Sequence, residues 1–267
     1  MLASLPTNLI DHMLFRFGDN ILTCGGWSDA WNGWNRNCWR YDIPTDSWIS
    51  YTIFNNNHHR YTNALVYNNK IYIVDSGSGE TFNPATNSWS SGIFPMYNFG
   101  EGECMVQFND TFAGFGGSTS NRFQIYNITT ATWSSPITLI NGVYYGSCRL
   151  LPNSNGKVLV FGVDSCCSTG DQWATIINLV TFQQTSLPIP SLFRGWGVSL
   201  VTLGSRVFAV NGWNWNANIP VVEEFHLTNN SWTKIAAPLI QPRHRGKAIN
   251  VPANWFSKLP NGCRGVL

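Results

Sequence analysis

The chain has 267 residues and a formal net charge of +2, so no excess of charge favours nucleic acid or an anionic membrane surface as its partner. Charged residues make up 11% of the sequence, well below the roughly one quarter that is usual in soluble domains. No stretch approaches the roughly 20 apolar residues that span a bilayer, so membrane insertion is not predicted.

In chain order, the predicted elements repeat as one pattern of strands and turns. Each copy begins with an apolar first strand, turns at a short polar segment and continues into a second strand that ends at or near Gly-Gly. The first strands lie near Met13, Ala64, Cys104, Cys148 and Ser199. The second strands are predicted at 21–26, 71–76, 112–117, 158–163 and 207–212. Turn residues typical of tight hairpins lie between them, at Gly18, Asn68, Asn109 and Asn155.

An aromatic third strand and a fixed step to a tryptophan close each copy. The aromatic residues of the third strand are Tyr41, Phe82, Tyr126 and Phe225. The steps that end in tryptophan are 42–48, 83–89, 127–133 and 226–232. The remaining copy, 178–184, keeps the spacing and the central threonine but ends in Gln184. We predict that these aromatic residues pack between strands. We also predict that a first strand at 245–251 begins a sixth copy.

Together these motifs resemble the kelch-repeat family over about residues 5 to 256, as a secreted, stand-alone kelch domain. The resemblance implies an all-β, kelch-type β-propeller with five complete four-stranded blades plus a partial sixth. It implies a single domain over 1–267, because stacked blades bury one another's faces in a shared core. The blades are predicted at about 8–48, 60–89, 102–133, 146–185 and 196–232, with the partial sixth at 245–267.

Cysteines and glycosylation sequons favour an extracellular, oxidising setting. Residues 1–8, however, lack the basic and apolar regions of a signal peptide. Cys24 ends the second strand of blade one and Cys38 begins its third strand. A disulfide is therefore predicted across the loop that connects these two strands. The pairing of the other cysteines is left open by the sequence: Cys104, Cys148, Cys166, Cys167 and Cys263. Sequons at Asn109, Asn127 and Asn229 all fall in first–second or third–fourth turns, which lie on one face of a propeller.

The opposite face carries long loops rich in tryptophan and asparagine, and we expect the ligand to meet this face. The predicted binding residues lie in second–third loops, in connections between blades and at the mouth of the central channel. They are Trp27, Trp31, Trp34, His58, Arg60, Tyr97, Tyr145, Arg194, Trp196, Trp213, Trp215 and Arg243. The expected partner is an extracellular protein, with a carbohydrate as the alternative, and not nucleic acid.

An enzymatic function is not predicted. Arginines before innermost strands could clamp a carboxylate at the channel mouth, as in a kelch-type sugar-acid isomerase. Such an isomerase is the third function considered, after protein binding and carbohydrate binding. The alternative structural role for these arginines is to bond loop carbonyls. Galactose oxidase-like copper chemistry needs a histidine–tyrosine set that the few histidines here do not provide, and no nucleophile–base pair or phosphate-binding loop is present. We therefore predict no catalytic residue, no cofactor and no metal site.

Overall fold

The computed structural model describes residues 3–28, 32–56, 63–74, 79–92, 102–117, 121–163, 172–195, 197–214, 216–236, 239, 246–252 and 254–255. These residues form five antiparallel sheets, four of four strands and one of five, which are arranged as the blades of a β-propeller ring, and none of the described residues lies in an α-helix. The predicted all-β class and the five blades are confirmed. Within the described ranges, no helix is long and apolar enough to cross a membrane.

Each blade is a meander in which consecutive strands pair, from an innermost to an outermost strand. Blade one contains β1 (Met13–Phe17), β2 (Asn20–Cys24), β5 (Asn37–Asp42) and β6 (Ser47–Ile53), and a small separate hairpin, β3 (Trp27–Ser28) with β4 (Gly33–Trp34), interrupts it. Blade two contains β7 (Asn63–Tyr67), β8 (Lys70–Val74), β9 (Gly79–Asn83) and β10 (Ser88–Ser91). Blade three contains β11 (Cys104–Phe108), β12 (Thr111–Phe115), β13 (Arg122–Asn127) and β14 (Thr132–Trp133), and β15 (Ile137–Thr138) also pairs with β13. Blade four contains β16 (Tyr144–Leu150), β17 (Lys157–Val163), β18 (Gln172–Asn178) and β19 (Gln184–Leu187). Blade five contains β20 (Ser199–Leu203), β21 (Arg206–Val210), β22 (Glu223–His226) and β23 (Ser231–Lys234).

The turns between the third and fourth strands share one backbone conformation in all five blades. The residue two positions before the closing tryptophan, or before Gln184, has a positive φ in every copy. These residues are Asp46 (47°), Asn87 (49°), Ala131 (54°), Phe182 (60°) and Asn230 (53°). Asparagine and aspartate tolerate this left-handed conformation better than other non-glycine residues, so three copies carry a residue suited to the turn. The step seen in the sequence is therefore a repeated turn.

The closing tryptophans pack directly on the aromatic residue of the third strand. Trp89 is the cross-strand partner of Phe82, with ring centroids 5.0 Å apart. The same pair recurs at 5.0–5.1 Å as Tyr41–Trp48, Tyr126–Trp133 and Phe225–Trp232. Aromatic cross-strand pairs stabilise a sheet beyond the area that they bury. The packing role predicted for these residues is confirmed.

Apolar side chains of neighbouring blades form the core. One apolar cluster joins each consecutive pair of blades from blade one to blade five, and the cluster between blades one and two includes Phe15 and Ile73. Residues of the C-terminal segment contact blades five and one. Ser199 donates a hydrogen bond to the carbonyl oxygen of Gly246, and Trp255 is buried with Tyr41 of blade one. The described residues of this segment form no strand, so the partial sixth blade at 245–267 is not confirmed.

Two disulfides hold the inner part of the ring. Cys24 and Cys38 are bonded at directly opposed positions of β2 and β5, as predicted, with Cα atoms 4.1 Å apart. Cys104 and Cys148 are bonded between the innermost strands of blades three and four, a pairing that the sequence left open. Two disulfides indicate an oxidising environment. Cys166, Cys167 and Cys263 lie outside the described residues.

Candidate functional site

The meander topology gives the propeller two different ends. First–second and third–fourth turns lie at one end, which we call the sequon face because Asn109 and Asn229 lie in these turns and Asn127 ends β13 directly before one. All three asparagines are exposed. Second–third loops and connections between blades lie at the other end, which we call the loop face. It includes the described residues 25–28, 32–36, 188–195, 211–214 and 216–222. Glycosylation itself stays a prediction.

A tryptophan hairpin projects from blade one on the loop face. β3 pairs with β4, so Trp27 lies opposite Trp34 and their rings meet edge to face at 5.2 Å. Trp27 also forms a bridge with Ile10, and Asn35 donates from its side-chain amide to the carbonyl oxygens of Gly25 and Asn37. Both tryptophans are only half-buried. The described part of the loop therefore presents aromatic surface and is held by strand pairing and hydrogen bonds.

The Cys24–Cys38 disulfide closes the base of this hairpin. The two cysteines are 14 positions apart, and both side chains are buried. Closing a loop of this length stabilises the folded chain by roughly 3 kcal/mol in the chain-entropy account. A loop held in this way loses less conformational entropy when it binds, which favours tighter association.

The corresponding loop of blade five is also ordered by its own hydrogen bonds. Trp213 forms a bridge with Asn218, and the side-chain oxygen of Asn214 accepts bonds from the backbone N–H groups of Asn216 and Ala217. Trp213 is half-buried. The described part of this loop is the second segment of the loop face in which a tryptophan ring is partly exposed to a partner.

Arg194 was predicted at the channel mouth as a ligand-binding residue, but the structure buries it completely. Its guanidinium bonds the carboxylate of Glu223 through Nε (3.0 Å) and Nη2 (2.9 Å), and both side chains are 0% exposed. Its other donors bond the carbonyl oxygens of Asn211 and Val221. Burial lowers the pKa of the Arg194 guanidinium, and the hydrogen bonds to Glu223 oppose that shift. Arg194 therefore joins the connection between blades four and five to blade five, and it is not presented to a ligand.

The other predicted binding residues are only partly described. Tyr145 is half-buried, has a φ of 45° and packs edge to face on Tyr144 at 4.6 Å. The residues outside the described ranges are Trp31, His58, Arg60, Tyr97, Trp196, Trp215 and Arg243. The described members, Trp27 and Trp34, Tyr145 and Trp213, belong to blades one, four and five. The binding role of this set stays a prediction.

A central cavity of about 560 Å³ was not predicted as a site. Its walls are the innermost strands of all five blades and residues 247–250. Among the described residues, its lining includes Arg16, Arg149 and Lys247 and contains no aspartate or glutamate. Burial lowers the pKa of the Lys247 ammonium, while the carboxylates of Asp11 and Glu103 oppose that shift. The described wall of the central cavity therefore carries cationic side chains.

One feature of the sequence could have identified Arg149 as a residue that departs from the repeat pattern. It pairs with Leu159, the second residue of an aligned second strand, and the equivalent residues of the other four blades are all apolar. These residues are Phe15, Leu65, Val106 and Val201. A charge at a repeat position that is otherwise apolar is a departure from the packing rule.

Among the described residues, no group of three or more His, Cys, Asp or Glu side chains is placed to hold a metal ion. The five blades and their shared core define the protein as a β-propeller. A scan against protein-family models finds none that matches the chain, and a search of curated proteins finds no similar sequence.

Proposed function

We propose that this β-propeller is an extracellular binding module of kelch type, which engages a protein partner through its loop face. The observation that carries the proposal is the tryptophan hairpin of blade one. Trp27 and Trp34 are half-buried, paired edge to face and held above the Cys24–Cys38 disulfide. Rigid aromatic residues offer a large contact area at a small cost in conformational entropy, and tryptophan is enriched among the residues that dominate binding energy.

The extracellular assignment is supported by two independent features. Two disulfides are formed, and disulfides persist in oxidising compartments. The three sequon asparagines are exposed at one end of the propeller. Glycans there would leave the loop face uncovered, so the two ends suit different roles: one modified and one available for binding.

A carbohydrate is the second candidate partner, and one observation favours it. Asn35 and Asn214 accompany half-buried tryptophans in both described loops, and sugars bind through ring stacking and amide hydrogen bonds. However, both amides already bond the backbone of their own loops. They therefore contribute order to the loop, which favours a protein partner. A sugar-acid isomerase using mouth arginines has less support, since Arg194 is committed to Glu223.

A glycan array probed with the purified, disulfide-intact protein separates the two binding candidates. We expect no glycan to be retained above the level of a variant that carries Trp34→Ala. The array is paired with cross-linking capture from extracellular fluid, in which wild type should recover a protein that the variant does not. Retention of one glycan class by wild type, lost in the variant, would replace the protein partner with a carbohydrate.

A further inference from the structure

Three cationic side chains are among the described residues that line the central cavity, and their interaction partners differ. Arg16 lies 3.7 Å from a carboxylate oxygen of Asp19 and stacks over the ring of Trp255. Lys247 lies in the field of Asp11 and Glu103, which stabilises its ammonium. Two of the three cations therefore have nearby acidic groups.

Arg149 is the exception among the three. Its Nε and Nη2 groups donate to the hydroxyl oxygen of Thr202 in the next blade, at 3.3 and 3.1 Å. No carboxylate of the described residues forms an ion pair with it. Burial lowers the pKa of the Arg149 guanidinium, and no acidic group of the described ranges opposes that shift. Since a guanidinium has five N–H donors, the single hydroxyl of Thr202 leaves most of its bonding capacity unused by the part of the chain that the structure describes.

The position of Arg149 within the repeat strengthens this observation. The equivalent residues of the other innermost strands are apolar, and three of them, Phe15, Leu65 and Val106, belong to the buried core between blades. Blade four instead places a charge at this position of the cavity wall. Arg149 is half-buried, and no carboxylate of the described residues pairs with it, so an anion that enters the cavity can supply the opposite charge.

We propose that the central cavity binds a small molecule through one oxyanion group, a carboxylate, sulfate or phosphate, held by the Arg149 guanidinium and oriented by Thr202. Two parallel N–H donors of an arginine match two oxygens of such a group. The cavity volume of about 560 Å³ lies within the range usual for small-molecule sites. The remaining described lining is uncharged, as at Gln107, Ser147 and Leu200, which suits a ligand that is neutral beyond its anionic group. This site is independent of the proposed loop-face function.

Crystals of the wild-type protein soaked in selenate test the location directly. Selenium gives an anomalous signal, so a bound ion can be placed without a mutation. We expect a selenate ion within hydrogen-bond distance of the Arg149 guanidinium. A soaked crystal with no anomalous peak in the cavity, or with peaks only at surface lysines, overturns the proposal.

Calorimetric titration with sulfate, acetate and inorganic phosphate, at constant ionic strength in chloride, identifies the oxyanion class. Arg149→Gln should weaken the preferred anion by about tenfold or more, because it removes charged hydrogen bonds. Arg149→Lys should restore part of the affinity, since it keeps the charge but loses the planar donor pair. Lys157→Gln is the matched control, because it removes one positive charge from an exposed side chain outside the cavity. Equal affinity in Arg149→Gln and Lys157→Gln overturns the proposal, and if Arg149→Gln does not fold, the selenate result on wild type decides.

Discussion

Replacing Arg194 with alanine is expected to lower the free energy of unfolding by about 3–5 kcal/mol, because it leaves the buried Glu223 carboxylate without its charged partner. Oε2 of Glu223 accepts two bonds from Arg194, and Oε1 accepts bonds from the backbone N–H and hydroxyl of Ser191. The variant also removes the donors to the Asn211 and Val221 carbonyls. Denaturant unfolding, followed by intrinsic fluorescence, measures the change in midpoint at constant slope.

The adjacent ion pair provides a matched control for this experiment. Arg206 pairs with Glu224, one position after Glu223 on the same strand, but the Arg206 side chain is 53% exposed. Exposed pairs contribute little, so Arg206→Ala should shift the midpoint far less than Arg194→Ala. A double variant, Arg194→Met with Glu223→Leu, should recover much of the lost stability, because it removes both buried charges together. Equal effects of the two single variants would show that the buried pair has no special role.

Replacing Trp89 with alanine is expected to cost about 3 kcal/mol, the lower end of the range for large aromatic residues because Trp89 is only half-buried. Its ring packs at 5.0 Å on Phe82 of its own blade and at 4.7 Å on Phe54 of blade one. Its indole N–H donates to the Thr52 hydroxyl, also of blade one, at 3.1 Å. The variant therefore loses contacts within blade two and contacts that join two blades.

Trp89→Phe separates these contributions, since it keeps an aromatic ring but removes the hydrogen bond to Thr52. We expect a cost of about 1 kcal/mol for this variant, the usual net value of one hydrogen bond. Ser90→Ala, at the next and exposed position of β10, should leave the unfolding midpoint nearly unchanged. A Trp89→Ala midpoint equal to that of Ser90→Ala would contradict the packing role of the closing tryptophans.

The sequence predicted the blades well because each repeat constrains its own local structure. The step from residue 83 to Trp89, for example, requires both a left-handed residue, Asn87, and a cross-strand aromatic partner, Phe82. Gln184 shows how the fourth copy keeps its structure without a tryptophan. The indole N–H groups of Trp89 and Trp232 each donate a hydrogen bond to an acceptor in the part of the chain that comes before their own blade. The Gln184 amide does the same, because it donates to the Thr138 carbonyl at 2.8 Å. Glutamine thus keeps the hydrogen bond between blades and loses the stacked ring.

Contacts between distant residues were harder to predict. Arg194 and Glu223 are 29 positions apart, and nothing local distinguishes a buried structural arginine from one that faces a ligand. The Cys104–Cys148 disulfide depends on how closely neighbouring blades approach at the axis, which strand patterns do not specify. Lys247 reaches the cavity only because the segment after blade five lies along its wall. These features depend on the ring as a whole.

The loop-face proposal is tested most directly by comparing partner capture between variants of the two ends. Trp34→Ala alters the hairpin, while Lys70→Glu with Lys157→Glu reverses two exposed charges near first–second turns of the sequon face. Melting temperatures first establish that both variants are folded, and capture from extracellular fluid is then quantified against wild type. We predict that Trp34→Ala weakens capture by at least about tenfold, as expected for a binding hot spot, while the charge-reversed variant captures normally. Normal capture by Trp34→Ala, together with lost capture by the charge-reversed variant, would assign binding to the opposite end of the propeller.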